Sequence, residues 1–205
     1  MRNLCIAGMI LVIAAASFGI ELVLQPGSEG KDNQIIDTQP TTNRGTYSYL
    51  TTNWSGGCED RGLIEFEGLS VIPSGAVINS ANLELYTYTN NPNDTFGIYR
   101  ITESWTESGS TWTNQPAHHA TAYALTLVTG AATYSFDVKN LVQEWADGTY
   151  VNYGMMLKRP SGNRTGWPYF ASSDHTSYPH PKLTVDYGET GVTPMSMGKV
   201  KALFN

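Results

Sequence analysis

The sequence predicts an all-β protein: a jelly-roll-like antiparallel β-sandwich with one short helix. Strand-like runs recur at short intervals and are separated by Gly, Pro and Asn turns, which is the pattern of a sandwich. The chain has 12 tyrosines, and charged residues make up only 15% of it. Aromatic and β-branched side chains fit a pleated sheet. A length of 205 residues leaves room for one domain of ordinary size.

The predicted strands follow from apolar alternation between turn residues. The clearest runs are residues 20–24, 47–52, 63–67, 81–89, 95–101, 133–138, 154–158, 168–172 and 182–187. Side chains of a strand alternate between its two faces. Alternation in the fourth run predicts a core face of Ala81, Leu83, Leu85 and Thr87 and an outer face of Asn82, Glu84, Tyr86 and Tyr88. In the second run, Leu50 is expected inside and Thr51 outside.

A helix is predicted where apolar residues recur at helical spacing. The apolar stripe consists of Val138, Leu141, Val142 and Trp145. Asp137 stands at the expected N-cap, and Gly148 stands where a helix would stop. We expect this helix to close one open end of the sandwich, with Trp145 as a packing residue.

Both ends of the chain differ from its middle. Residues 1–19 combine Arg2 with a nearly continuous apolar run at 4–16, which predicts a signal peptide and secretion. That run is too short to span a membrane. Residues 20–187 form the predicted domain. Residues 188–205 are predicted to be a linker and C-terminal tail, either a frayed end or a sorting or docking segment for a surface or secretion partner.

Charge and cysteine content exclude several classes of protein. The net charge is −6, and nucleic-acid binding needs clustered Lys and Arg, so no nucleic-acid partner is expected. Cys5 lies in the predicted signal peptide, so Cys58 is the one cysteine of the predicted domain. It is either buried and inert or paired with another chain. No catalytic motif is recognisable, and no catalytic residue is predicted.

Residues 105–116, WTESGSTWTNQP, form a polar loop that contains Trp105 and Trp112 and ends at Pro116. We call them the tryptophan loop. A large aromatic ring in such a loop usually packs on a core, and its N–H needs a partner. We therefore expect both rings to fix the loop onto the domain and not to form a binding site.

Aromatic side chains on the outer surface are the candidate binding residues. Sugar rings expose an apolar C–H face, so a flat aromatic ring gives contact area while polar neighbours bind the hydroxyls. The candidate carbohydrate-binding residues are Tyr47, Tyr49, Trp54, Tyr86, Tyr88, Arg164 and Trp167. Ordinary packing between neighbouring strands also explains any one of these rings.

Acidic and amide side chains gather in the early turns. Asp32, Asp37 and Asn43 could supply oxygen ligands, and calcium takes about six to eight of these from loops. The sequence therefore makes these residues a candidate site for a structural calcium. Turns also favour Asp and Asn without any metal, and that interpretation stays open. The histidines lack the spacing of a zinc site and are predicted to lie in surface loops.

Several separated strings resemble one known family. They are LQPGSEGKDNQIID at 24–37, PTTNRGTYSYL at 40–50, RGLIEFEGLSVIPSGAVINSANLELYTY at 61–88, the tryptophan loop, FDVKNLVQEWADG at 136–148, YGMMLKR at 153–159, and PYFASSD and PKLTVDY within 168–187. In this order they resemble the DNRLRE domain family, also grouped as carbohydrate-binding module family 96. The resemblance implies a jelly-roll-like sandwich, an extracellular setting and, for some members, binding of polysaccharides, acidic ones included.

The sequence and the resemblance together predict a secreted, non-catalytic module that binds an extracellular or cell-wall polysaccharide. The alternative is a structural or adhesive surface protein that uses the same sandwich as a building block. Family members are often appended to glycan-degrading enzymes, whereas for this sequence we expect a domain that stands alone. The matching residues belong mainly to core and turns, so the resemblance says more about fold than about ligand.

Overall fold

The computed structural model describes residues 19–28, 30–52, 54–55, 58–89, 93–160 and 167–188. The predicted signal peptide, apart from Gly19, and the predicted tail beyond Gly188 lie outside these residues. Two antiparallel sheets make up the body of the domain, and each contains six strands.

The first sheet is built around one long strand. Its members are β1 (Gly19–Leu24), β3 (Tyr49–Thr51), β6 (Val77–Thr87), β9 (Ala132–Asp137), β11 (Tyr169–Ala171) and β12 (Lys182–Gly188). Strand β9 pairs with one edge of β6. The other edge of β6 pairs first with β12 and then, at Thr87, with β11. Strands β1 and β3 lie outside β12 and β11, respectively.

The second sheet has the strand order β2-β5-β10-β7-β8, and β4 also pairs with β5. Its members are β2 (Lys31–Ile36), β4 (Trp54–Ser55), β5 (Cys58–Glu65), β7 (Asp94–Arg100), β8 (Ala124–Val128) and β10 (Met155–Lys158). The two sheets enclose a common core, so the prediction of an all-β sandwich with one short helix is confirmed.

Alternation along β6 is as predicted from the sequence. Leu83 and Leu85 are fully buried in the core between the sheets, and Thr87 on the same face is also fully buried. The second sheet contributes Phe96 and Leu157 to the same cluster. Replacing one such leucine by alanine costs about 2–5 kcal/mol, because the cavity collapses only in part.

The α-helix α1 (Lys139–Ala146) packs Leu141 and Val142 into this core at the end of β6. The predicted N-cap was wrong by one residue, since Val138 occupies that position. The Asp137 carboxylate nevertheless accepts a hydrogen bond from the Lys139 N–H at 3.0 Å, so it caps the helix from one residue earlier. Gly148 ends the helix as predicted; its φ of 70° is one that glycine tolerates best.

The outer face of the second sheet is covered by the tryptophan loop. Leu63, Tyr99 and Met156 point away from the main core and form a second apolar cluster with Trp105. The Trp105 indole N–H donates to the Tyr153 carbonyl at 2.8 Å, and the ring is 6% exposed. Trp112 is half-buried against the same cluster. The expected packing role of both tryptophans agrees with this arrangement.

Three of the described strands were missed in the sequence: β2, β8 and the two-residue β4. Strand β2 (Lys31–Ile36) was interpreted as turns because its first residues are polar, yet Asp32, Asn33 and Gln34 are all buried. Strand β8 (Ala124–Val128) is an edge strand whose Leu125 and Leu127 remain exposed. The short alternation around Thr126 in this segment was the pattern that could have predicted the strand.

The outward prediction for Thr51 was wrong. Its side chain is buried at the corner where β3 approaches the second sheet. The Thr51 hydroxyl donates to the Asp60 carboxylate at 2.9 Å and accepts a hydrogen bond from Gln34. Side-chain alternation was correct, but this corner of the sandwich covers both faces of the strand.

Candidate functional site

Tyrosines occupy the outer face of the first sheet, near the ends of β3, β6 and β11. Phe170 of β11 points into the core, so its neighbour Tyr169 must point outward. Tyr86 lies on the outer face of β6, and Tyr88 continues that face just beyond the strand. The same alternation that builds the core therefore gathers rings on the outside.

Six of these rings form a continuous row, which we call the tyrosine ribbon. In spatial order it consists of Tyr47, Tyr49, Tyr169, Tyr88, Tyr178 and Tyr86. Every ring contacts the next one, with centroid separations from 4.9 to 6.0 Å. Aromatic pairs at such distances stabilise one another by about 0.5–1.5 kcal/mol beyond the area that they bury.

The centre of the tyrosine ribbon differs in geometry from its first end. Tyr88 stacks nearly parallel to Tyr169, at 14°, and to Tyr178, at 18°. Tyr49 meets Tyr169 edge-on, at 84°. Tyr47 and Tyr178 are 38% and 40% exposed, respectively, while the rings between them are half-buried. The result is a row of rings that support one another and still have surface facing solvent.

His175 holds Tyr178 in this row. Its Nδ1 accepts hydrogen bonds from the Ser177 and Tyr178 backbone N–H groups, each at 3.0 Å. Its ring lies 4.7 Å from that of Tyr178 and 5.4 Å from that of Tyr88. Burial, followed by the charge of His180, lowers the pKa of His175. A neutral ring suits this role, because Nδ1 must carry no proton to accept both bonds.

The phenol groups of Tyr49 and Tyr88 stay protonated at neutral pH. Burial is the main cause that raises the pKa of Tyr49 and of Tyr88, and neighbouring tyrosines add to it. A protonated hydroxyl both donates and accepts hydrogen bonds, which suits a ligand rich in hydroxyl groups. At the first end, the Arg44 guanidinium lies 5.4 Å from the centre of the Tyr47 ring.

The remaining outer face of the first sheet is polar. A depression of about 450 Å³ lies there, lined by Glu21, Val23, Asn82, Glu84, Ser135, Lys182 and Thr184. Glu84 forms a salt bridge with Lys182. Ser135 donates to the Asn82 side chain at 3.2 Å. Because Glu84 and Tyr86 share one face of β6, the aromatic and polar parts belong to the same surface.

A larger cavity lies away from this surface. It measures about 590 Å³ and opens beside α1, where Trp145, Tyr150 and Val151 line it. Tyr150 is 41% exposed, and the Arg100 guanidinium lies 3.6 Å from its ring centre. This cavity is the rival location for a ligand.

The structure brings together four of the predicted binding residues and separates the others. Tyr47, Tyr49, Tyr86 and Tyr88 all belong to the tyrosine ribbon. Trp167 is 59% exposed and precedes Tyr169 by two residues, but the ring contacts of the ribbon do not include it.

Two further predicted residues fall elsewhere. Trp54 belongs to β4 in the second sheet, where its backbone pairs with Glu59; its side chain lies outside the described part of the chain. Arg164 also lies outside the described residues.

Sequence reasoning missed Tyr169, Tyr178 and His175. Tyr169 was detectable, since it alternates with the apolar Phe170 in a short strand. Tyr178 and His175 lie in an irregular segment after β11, where no period predicts the direction of a side chain. The histidines were expected to lie in surface loops, and His175 does lie in a loop, but it is part of the aromatic contacts.

The predicted metal ligands also separate. Asp32 is buried and lies close to the carboxylates of Glu107 and Asp174. Asn43 instead donates its side-chain amide to the Glu107 and Ser110 carbonyls, at 2.6 and 2.8 Å. The backbone N–H of Asp37 donates to Glu59, and its carboxylate is not part of that group.

Among the described residues, one outer face of the sandwich is covered by the tryptophan loop and the other carries the tyrosine ribbon. The chain belongs to carbohydrate-binding module family 96, and the family matches residues 27–187. A search of the curated proteins found no match. None of the described helices is long and apolar enough to cross a membrane.

Proposed function

We propose that this protein is a secreted, non-catalytic module that binds an extracellular or cell-wall polysaccharide on the tyrosine ribbon. The observation that carries the proposal is the unbroken row of six rings, joined by five ring contacts, on the outer face of the first sheet. Membership of family 96 supports carbohydrate as the ligand class.

The shape of the tyrosine ribbon favours a chain over a single sugar. Successive rings are 4.9–6.0 Å apart and extend across β3, β11 and β6. A linear polysaccharide can place several apolar C–H faces on such a row, while phenol hydroxyls and the neighbouring polar face bind its hydroxyl groups. Each contact is weak, so the affinity depends on the number of rings that are used together.

The chemistry of this face supports binding without hydrolysis. Glycosidases use two carboxyl groups about 5–9.5 Å apart on either side of the scissile bond. Of the two carboxylates that line the polar depression on this face, Glu84 is instead paired with Lys182, so Glu21 and Glu84 are not a pair of free carboxyl groups. Tyr88 and Tyr49 have raised pKa values and therefore act as neutral hydrogen-bonding groups.

Affinity electrophoresis in gels that contain neutral or acidic polysaccharides tests the proposal. The wild-type protein should migrate more slowly in at least one gel, and Tyr178→Ala should lose much of that retardation. Tyr150→Ala is the matched control, because Tyr150 is 41% exposed and Tyr178 is 40% exposed. Retardation that depends on Tyr150 and not on Tyr178 would place the ligand in the cavity beside α1 and contradict the proposal.

Assembly of several copies is the second candidate function. Leu125 and Leu127 are 59% and 56% exposed on β8, an edge strand of the second sheet. Exposed edge strands with apolar side chains are suited to pairing with another chain. Sedimentation that depends on protein concentration and is lost in Leu125→Lys would support assembly.

A further inference from the structure

Three carboxylates from distant parts of the chain converge beside the tyrosine ribbon. Asp32 comes from β2, Glu107 from the tryptophan loop, and Asp174 from the segment that follows β11. One oxygen of each lies within 4.8 Å of the others. We call them the carboxylate cluster.

Asp32 is the most buried member, with 2% of its surface exposed. One of its oxygens, Oδ2, accepts a hydrogen bond from the Ser173 backbone N–H at 2.7 Å. The other, Oδ1, is buried with no hydrogen-bond partner among the described residues. An ionised carboxylate oxygen in this position costs free energy unless a cation or a proton compensates its charge.

The basic side chains near the carboxylate cluster already form contacts with other groups. Lys31 is adjacent in sequence to Asp32, but its ammonium group binds Glu65 at 2.6 Å and lies over the Trp105 ring. His180, whose charge acts on Asp174, is within 3.0 Å of the Pro26 carbonyl and 2.7 Å of the His175 carbonyl. Burial raises the pKa of Asp32 to about 7 and also raises the pKa values of Glu107 and Asp174.

The position of Glu107 is fixed by amide groups. The Asn33 side chain donates to the Glu107 and Ser110 carbonyls at 3.0 and 2.9 Å, and Asn43 donates to the same two oxygens. The Asp32 backbone N–H donates to the Glu107 carboxylate at 3.2 Å. The tryptophan loop is therefore held so that this carboxylate faces Asp32.

A close backbone approach completes the arrangement. A side chain on Gly30 would come within 2.7 Å of the Ser173 Cβ, so glycine is needed for Ser173 to reach Asp32. The Ser173 hydroxyl also donates to the Gly30 carbonyl at 3.3 Å. Three separate segments are thus packed closely around the carboxylate oxygens.

We propose that Asp32, Glu107 and Asp174 bind one calcium ion. Two oxygens bound to the same Ca²⁺ at about 2.3–2.6 Å lie at most about 5 Å apart, which agrees with the 4.8 Å spread of the cluster. All three ligands are hard oxygens, as calcium prefers, and carbonyl oxygens and water supply the remaining positions. The calcium site expected from the sequence thus keeps Asp32 but takes Glu107 and Asp174 in place of Asp37 and Asn43.

The ion would join the two regions of the protein that carry aromatic rings. Glu107 belongs to the tryptophan loop, and Asp174 directly precedes His175, which holds Tyr178 in the tyrosine ribbon. Binding of calcium therefore fixes the segment that contributes one exposed ring of the ribbon. The proposal does not depend on the identity of any glycan.

Thermal unfolding of the purified protein, with EDTA and with added CaCl₂, tests the site. An ion present at about 100 times its dissociation constant raises the melting temperature by about 5–10 °C in a domain of this size. Asp32→Asn and Glu107→Gln should abolish this shift. Asp32→Asn should be at least as stable as wild type in EDTA, because it removes a buried charge without changing shape.

Glu67→Gln is the matched control, since Glu67 is an exposed carboxylate outside the carboxylate cluster, and it should keep the full shift. Calorimetric titration of the EDTA-treated protein with CaCl₂ should show one site. Any one of three results would overturn the proposal. They are a titration that shows no binding of CaCl₂, a melting-temperature shift in Asp32→Asn equal to that of wild type, and a shift with MgCl₂ or ZnCl₂ but not with CaCl₂. Because both readouts omit glycan, their failure is distinct from a failure of polysaccharide binding.

Discussion

The two outer faces of this sandwich use aromatic residues in opposite ways. On the second sheet, Trp105 is 6% exposed, and its N–H is bonded to the Tyr153 carbonyl. On the first sheet, Tyr47 and Tyr178 remain 38% and 40% exposed, and the rings contact each other side by side. Rings that are buried and internally hydrogen-bonded stabilise the fold, whereas rings that pack on neighbouring rings at the surface keep part of their area facing solvent.

The difference has a simple physical origin. A polar loop can cover a sheet only if something in it contributes enough apolar burial to offset the entropy of ordering the loop. Trp105 and Trp112 do this for the second sheet. On the first sheet the segment after β11 contributes Tyr178, which packs on Tyr86 and Tyr88 and remains 40% exposed.

The largest effect is expected on the covered face. Trp105→Ala should lower the free energy of unfolding by about 3–5 kcal/mol, since it empties the centre of the second apolar cluster. Chemical denaturation measures this change. Among molecules that remain folded, polysaccharide affinity should stay within about twofold of wild type. A large loss of affinity in the folded variant would show that the two faces are not independent.

The open face should show the reverse. Tyr88→Ala removes the central ring of the tyrosine ribbon and should weaken polysaccharide binding about tenfold, which corresponds to about 1.4 kcal/mol. Tyr88→Phe keeps the ring and should retain most of the affinity. Titration calorimetry measures the affinities of both variants for the polysaccharide that retards the wild-type protein in the gels. Equal affinities for wild type and Tyr88→Ala would mean that stacking on this face does not contribute.

Where the two sheets meet, Asp60 provides a test based on pH. Burial raises the pKa of Asp60 to about 6, with Asp37 adding to the shift while Thr51, Arg44 and Arg159 oppose it. An unfolded Asp titrates near pH 3.9, so between about pH 4 and 6 the folded protein holds a proton that the unfolded chain has released. The contribution of Asp60 to the free energy of unfolding therefore decreases as the pH rises.

Asp60→Asn removes that dependence. Relative to wild type, the variant should gain about 1 kcal/mol between pH 4 and pH 7, a value reduced for screening by solvent. Urea denaturation at several pH values measures the difference. A difference between variant and wild type that is independent of pH would show that Asp60 is ionised throughout.

The smallest effect concerns the rim of the covered face. The Arg61 guanidinium lies 4.6 Å from the Trp112 ring centre and donates to Gln115 at 2.6 Å. Arg61→Gln should cost about 1 kcal/mol, because it removes a part-buried cation–π contact with Trp112 and the ion pair with Glu59. Urea denaturation should show this small change, and polysaccharide retardation should be unaltered. A cost near that of Trp105→Ala would mean that the rim, and not the buried ring, holds the loop.

Alternation in the sequence was sufficient for the parts of the molecule where one face is buried and the other is open. It predicted the inner face of β6 and the outward direction of Tyr86 and Tyr88. It failed at Thr51, because a corner between the sheets buries both faces there. It also failed at Lys31–Ile36, where polar residues are buried together with hydrogen-bond partners from other segments.

The sequence by itself determined the sandwich, the helix and the packing role of Trp105, because these depend on local period and on the cost of exposing large apolar rings. Only the tertiary structure decided which rings lie side by side and which carboxylates converge. Tyr49, Tyr88, Tyr169 and Tyr178 come from separate segments, and so do Asp32, Glu107 and Asp174. Contacts between segments far apart in sequence leave no local pattern, so chain folding alone brings them together.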